Sequence, residues 1–380
     1  MSGLNLLCLP NDILVLLPAF LHNIEDYLNL AATCRTLREC MGTATPKTIL
    51  RLAAAQSKIF FRPSPHFLVA ATARELGHWA RRSAANEQDL AQKMEDGIDG
   101  LLGLVLAHCT ITLGRIRELF SMRFSIMNPV TDIIDQCVGQ QWLSTPNFWN
   151  GGVDDAYTIS ADPSETFFHL VIYGELFGPD FEPILSQNHD ARRLRVETRL
   201  EFIKYCVPDF ACQQNGYIDA QDTRLPDGTL DPRRDVKNTG PYRRNDDSGR
   251  PDQIYDNNIA LTWVIKSSRW KAHWAVIRAQ AAPDFDDNFD DGWWYDEDDG
   301  EDWRQRLWET VMVCQGLEGL GMIRPGIQDQ WVDKIREWKD KVARLDREPH
   351  TTKVGRQGTL EYPFLLGDLR ICASGYVAGT

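Results

Sequence analysis

Apolar residues at helical spacing, punctuated by recognisable caps, constrain this chain more than any other feature. Between Pro46 and about Pro208 such patterns run over Thr48–Phe60, His66–Arg82, Glu87–Cys109, Leu113–Ile126 and Val130–Trp142. Intervals of three and four put these side chains on one face of an α-helix. Two starts are signed: Asn128-Pro129, and Asp162-Pro163-Ser164-Glu165, which offers an N-cap, a proline in the first turn and an acid after it. The helix after Asp162 carries Phe167, Phe168, Val171, Ile172 and Leu176 and should end at Gly178-Pro179. A further stripe, Val196, Leu200, Ile203 and Val207, lies within Asp190–Val207. Helical patterns return at Ile259–Ala279, Trp303–Leu320 and Pro325–Leu345. Strands are expected only at Gly358–Leu366 and Leu369–Ala373. The fold class is therefore mainly α, an N-terminal three-helix unit followed by a multi-helix body with little β structure.

The N-terminal unit, residues 4–45, has its own punctuation. Pro10 suits a first helical turn, and Ile13, Leu16, Leu17 and Phe20 follow at helical spacing. Ile24, Tyr27, Leu28 and Ala31 form a second stripe, and Cys34, Leu37 and Met41 a third. Pro18 lacks the N–H that a continuing helix needs, so the first helix should end near Leu17 and kink. Three short helices cannot bury this many leucines among themselves. Another surface must cover them.

Beyond it the chain divides into a first body segment at 46–208, a polar loop or insertion at 209–258, and a second body segment at 259–380. The stretch Ala279–Trp303 within the last holds eleven acids and no Lys or Arg. The whole chain, with 41 basic and 54 acidic residues, carries −13, so removing that stretch leaves −13 + 11 = −2. The acidity is local, and it argues against a nucleic-acid binder. Phe285, Phe289, Trp293, Trp294, Tyr295 and Trp303 are interleaved with the acids, which a purely solvating run does not need. Asp287–Asp298 approaches a calcium loop in spacing, but Phe289 stands where an oxygen ligand is required.

Signatures of catalysis are absent: no nucleophile elbow, phosphate loop, zinc-protease helix or dinucleotide fingerprint occurs. Gly316-Leu317-Glu318-Gly319-Leu320-Gly321 reads as a helix end and turn. The histidines, among them His108, His169 and His273, stand singly, so no metal or other cofactor is expected. Nine cysteines without a C-x-x-C pair read as reduced core thiols in a reducing compartment. The apolar start Leu4–Leu21 lacks the basic flank of a signal peptide, and Leu101–Leu113 is too short for a membrane span.

Leu9-Pro10-Asn11-Asp12-Ile13-Leu14, then Leu17, Phe20-Leu21 and Tyr27-Leu28-Asn29-Leu30, then Thr33-Cys34-Arg35-Thr36-Leu37-Arg38 together resemble an F-box. The likeness covers about residues 4–45. The layout, an N-terminal F-box before a Trp-rich helical body, is similar to F-box proteins of filamentous fungi. The resemblance implies a non-catalytic substrate receptor of an SCF-type ubiquitin ligase in the cytoplasm and/or nucleus. Leu9, Pro10, Ile13, Leu17, Leu28, Leu30, Cys34 and Leu37 would lie on or support the surface for the adaptor Skp1, and through it a cullin–RING ligase. A protein target would bind the body. The acidic aromatic strip, with Trp293, Trp294, Tyr295, Asp296, Asp298 and Asp299, is the expected place. The alternative is a helical interaction scaffold outside ubiquitination, its strip holding a basic partner.

Overall fold

A computed structural model describes residues 6–56, 61–138, 161–208, 256–283 and 303–346, with a two-residue antiparallel pairing of Leu369–Arg370 and Val377–Ala378. The protein is mainly α. The first elements are α1 (Asn11–Leu14), α2 (Leu17–Phe20), α3 (Ile24–Thr33), α4 (Arg35–Met41) and α5 (Pro46–Ala55). There follow α6 (His66–Ala80), α7 (Ala84–Met94), α8 (Gly97–His108), α9 (Leu113–Met122) and α10 (Asn128–Val138). Next come α11 (Pro163–Phe177), α12 (Phe181–Leu185) and α13 (Val196–Glu201). The remaining helices are α14 (Asn257–Lys266), α15 (Ser268–Ala281), α16 (Trp303–Val313), α17 (Gly316–Gly319) and α18 (Val332–Ala343).

Helix α11 is the axle of the body. Asp162 Oδ1 accepts the Ser164 N–H at 2.7 Å, so the capped start expected from sequence is formed. Every residue from Thr166 to Phe177 is buried, because α6, α10, α14 and α17 pack around it. A helix covered on all sides needs apolar residues all round, as this one has. Two glycines permit the closest approach: a Cβ on Gly174 would stand 2.5 Å from the Gly316 nitrogen, and one on Gly178 2.2 Å from the Cys314 carbonyl. One apolar core therefore runs from Ile24 to Leu345 and joins the first body segment to the second.

Three buried carboxylates pin this core. Glu175 accepts from Arg74 Nε at 2.6 Å and from the Leu317 N–H at 2.8 Å. Asp180 pairs with Arg81 Nε at 2.7 Å and Arg199 Nη2 at 3.3 Å. Glu87 accepts from Arg192 Nη2 and the Arg195 N–H, both at 2.6 Å, and from Thr198 Oγ1 at 3.0 Å. Burial alone would raise the Glu87 pKa, but these donors outweigh it and hold the carboxyl low. Between α15 and α16, Arg278 Nη1 meets Glu309 at 3.1 Å. Removing one partner from such a pair would leave an uncompensated buried charge, at a cost of about 3–5 kcal/mol.

Several expected boundaries move. Glu87–Cys109 is two helices, because the chain turns at Asp96 and Gly97, with φ +71° at Gly97. A Cβ on Gly100 would fall 1.9 Å from the Lys93 carbonyl, so only glycine lets α8 fold back this tightly. Ile259–Ala279 is also two helices, restarted where Ser267 Oγ accepts the Arg269 N–H at 3.2 Å. Trp303–Leu320 breaks after Val313, and Gly316, at φ +76°, makes the turn expected of the glycine segment. In the last helical pattern a 3-10 turn at Gln328–Trp331 precedes α18, whose Ile335, Trp338 and Val342 are buried as the stripe requires. Asn128-Pro129 is not a start. The helix continues through it from α9, carried by a π turn at Arg123–Met127. Pro129 has no N–H for the Ser125 carbonyl four residues back, and Arg324 Nε donates to that oxygen instead, at 3.1 Å. A second π turn, Phe202–Cys206, extends α13. The strand expected at Gly358–Leu366 and the loop at 209–255 lie outside the described residues.

Candidate functional site

The N-terminal unit begins at Pro10, which sits at the cap position just before α1 rather than inside its first turn. The Ile13 and Leu14 amides donate to its carbonyl at 2.9 and 3.1 Å. The kink attributed to Pro18 comes earlier than expected. Helix α1 ends at Leu14, and α2 starts afresh at Leu17 with Pro18 in its first turn, where the missing N–H costs nothing. The expected first helix is thus two short ones, and the described residues of the unit hold four α-helices after a 3-10 turn at Leu6–Cys8. Pro18 is buried, and Arg51 Nη2 of α5 donates to the Pro18 and Ala19 carbonyls at 3.1 and 3.0 Å.

This break sorts the leucines. Leu14, Leu37 and Cys40 form a small core of their own, packed by the partly buried Leu6, Leu9, Leu17, Leu30 and Cys34. Of the eight residues expected on or under the docking surface, five therefore meet in that core: Leu9, Leu17, Leu30, Cys34 and Leu37. Leu37, 4% exposed, supports from within and offers no surface. Pro10, Ile13 and Leu28 face solvent. Ile24, Tyr27 and Met41 turn the other way and belong to the core of the body. Tyr27 Oη donates to the Met41 carbonyl at 2.6 Å, and burial, against an opposing pull from Arg117, raises its pKa. At the α5 edge, Gln56 accepts the Glu25 N–H at 3.0 Å. Asn23 caps α3 by accepting the Asp26 N–H at 2.7 Å.

What remains outside is apolar. Six of the eight exposed large hydrophobic residues among those described lie between Leu7 and Leu28: Leu7, Ile13, Val15, Leu16, Phe20 and Leu28. Phe20 is 73% exposed and Leu16 51%. Single exposed apolar residues need no explanation, but these six fall in one short stretch. Leu7 and Val15 were not singled out by sequence, and Leu16 and Phe20 were read as one stripe with Leu17. The signal that separates them is Pro18, because restarting the helix there puts Leu17 and Phe20 out of phase with α1.

Other chemistry is sparse. Among the described residues no three His, Cys, Asp or Glu side chains are grouped to hold a metal ion. Seven cysteines are described, all unpaired as disulfides, and five are buried while Cys8 is exposed. Burial, with the Glu75 charge, pushes the Cys109 thiol up to about 12 and burial lifts Cys137 to about 11, the reverse of what a nucleophile needs. Two histidines expected to stand singly do not: His66 and His169, far apart in sequence, approach to 3.3 Å between their Nε2 atoms. The strip residues Trp293, Trp294, Tyr295, Asp296, Asp298 and Asp299 lie outside the described residues. No described helix is long and apolar enough to cross a membrane. Searches of protein-family models, curated proteins and solved structures found no match to this chain.

Proposed function

We propose that the chain is a substrate receptor of an SCF-type ubiquitin ligase, in which residues 4–45 act as an F-box that docks Skp1. The observation that carries this reading is the concentration of exposed apolar side chains on a unit with a small core of its own. A surface of this kind stays costly in water until a partner covers it. The motif supplies the partner's identity, by resemblance. In this reading the chain performs no chemistry, the body carries the target, and the acidic aromatic strip is a place where a basic target would bind.

The test is capture of purified Skp1 by the full-length chain and by a Leu16→Asp/Phe20→Asp variant. Both side chains are exposed, so the variant should melt as the wild type does, surface changes usually costing within about 0.5 kcal/mol. The expected result is retention of Skp1 by the wild type and at least a tenfold loss in the variant. Wild-type protein that fails to retain Skp1 would return the unit to the alternative role of scaffold, which the seating of Ile24, Tyr27 and Met41 in the body core favours.

A further inference from the structure

A cavity of about 600 Å³ opens between the segment before α6, the π turn leading into α10 and the start of α11. That size lies within the roughly 300–1,000 Å³ of small-molecule sites. Among the described residues its wall carries two arginines, Arg62 and Arg123, and two carboxylates, Asp162 and Glu165, so the charges cancel. An ion of either sign would meet as many like charges there as opposite ones. Apolar surface is scarce, because Met127 and Phe168 border the cavity but each is only 4% exposed. The wall also offers the hydroxyls of Ser64, Thr131 and Ser164 and the amide of Asn128. Two of its charged groups keep open hydrogen-bonding capacity. Arg123 lies over the rings of Phe67 and Phe120, with its guanidinium carbon 5.8 and 5.6 Å from their centroids, and makes no ion pair with a described residue. Glu165 is half-buried and makes no hydrogen bond or ion pair among the described residues.

We infer that this cavity binds a neutral polyhydroxylated ligand, a sugar. A guanidinium group only donates and a carboxylate only accepts, whereas each hydroxyl of a sugar does both. A ring bearing several hydroxyls therefore suits donors, acceptors and the neutral side chains alike, and it brings no charge of its own. The cancelling charges disfavour ions, and the scarcity of apolar surface disfavours hydrophobic molecules. The inference stands on the body alone and does not rest on the F-box reading.

The probes are D-glucose, D-galactose and D-mannose, titrated into the full-length protein and followed by saturation-transfer NMR. Sugars stabilise most proteins by exclusion from their surface, so a shift in melting temperature would not report the site. At least one of the three should bind saturably at millimolar concentration, and its 2-amino and uronate forms should bind at least tenfold more weakly. Thr131→Val, which removes one hydroxyl, and Arg123→Gln should each weaken the bound sugar several-fold. The comparison of neutral and charged forms on wild-type protein keeps the test independent of how the variants fold. Methyl glycosides of the bound sugar separate the sources: they would replace the end of a glycan but not a free monosaccharide. No saturable binding by any of the three, or charged forms that bind as well as the neutral one, would overturn the inference.

Discussion

His66 and His169 bring two imidazoles to 3.3 Å in the core, and neither Nδ1 has a hydrogen-bond partner among the described residues. One Nε2 can donate to the other only while the accepting ring is neutral. Burial, against a weaker upward pull from Asp162, lowers His66 from 6.5 to about 4. Burial and then the His66 ring lower His169 as well. An unfolded chain binds protons below pH 6.5 that the folded one refuses, so stability is full above that value and drains away as the pH falls. At up to 1.36 kcal/mol per pH unit, His66 alone should cost roughly 2 kcal/mol between pH 6.5 and 4.5. The urea midpoint of the wild type should drop across this window, and His66→Gln should flatten the drop. Equal slopes in the two proteins would show that the pair does not titrate as the geometry requires. Sequence could not reveal this pair, because 103 residues separate its members and each stands in an unremarkable helical pattern.

At the scale of elements, signals that act within a few residues were legible. The start of α11 was readable because Asp162, Pro163 and Glu165 cap and charge their own helix, and its end because Gly178-Pro179 follows directly. The breaks at Gly97 and Ser267 were not, since apolar spacing continues across them and the turn depends on how neighbouring helices meet. Pro129 is the instructive case, because its local meaning is a helix start and its actual setting is a helix interior. The π turn ahead of it holds one residue more than an α turn, so the faces on either side stay aligned. Deleting Ser125 should therefore keep α9 and α10 on their present faces but return Pro129 to a regular helix, at a cost of about 3 kcal/mol. Adding Pro129→Ala should recover most of that loss in a thermal melt. A double variant no more stable than the deletion alone would mean that the extra residue serves something other than the proline.

For the whole molecule, the N-terminal unit was legible as a motif, but its attachment was not. Leu17 and Leu30 pack against both cores, and Ile24, Tyr27 and Met41 lie in the larger one, each worth about 1.5–3 kcal/mol when buried. A chain lacking residues 1–45 should keep its helical circular dichroism yet melt several degrees lower. An unchanged melting temperature would show the unit to be an appendage. The axle has a different consequence, which concerns how the chain is made. Glu175 on α11 waits for Leu317, 142 residues later, to supply its backbone donor. At roughly 5–20 residues per second, α11 emerges from the ribosome roughly 7–30 s before the glycine turn that covers one of its sides. During that interval the apolar sides that α14 and α17 later cover are left exposed. Nascent chains stalled just after α11 should therefore load heavily onto holdase chaperones, and chains extended past Leu317 should release them.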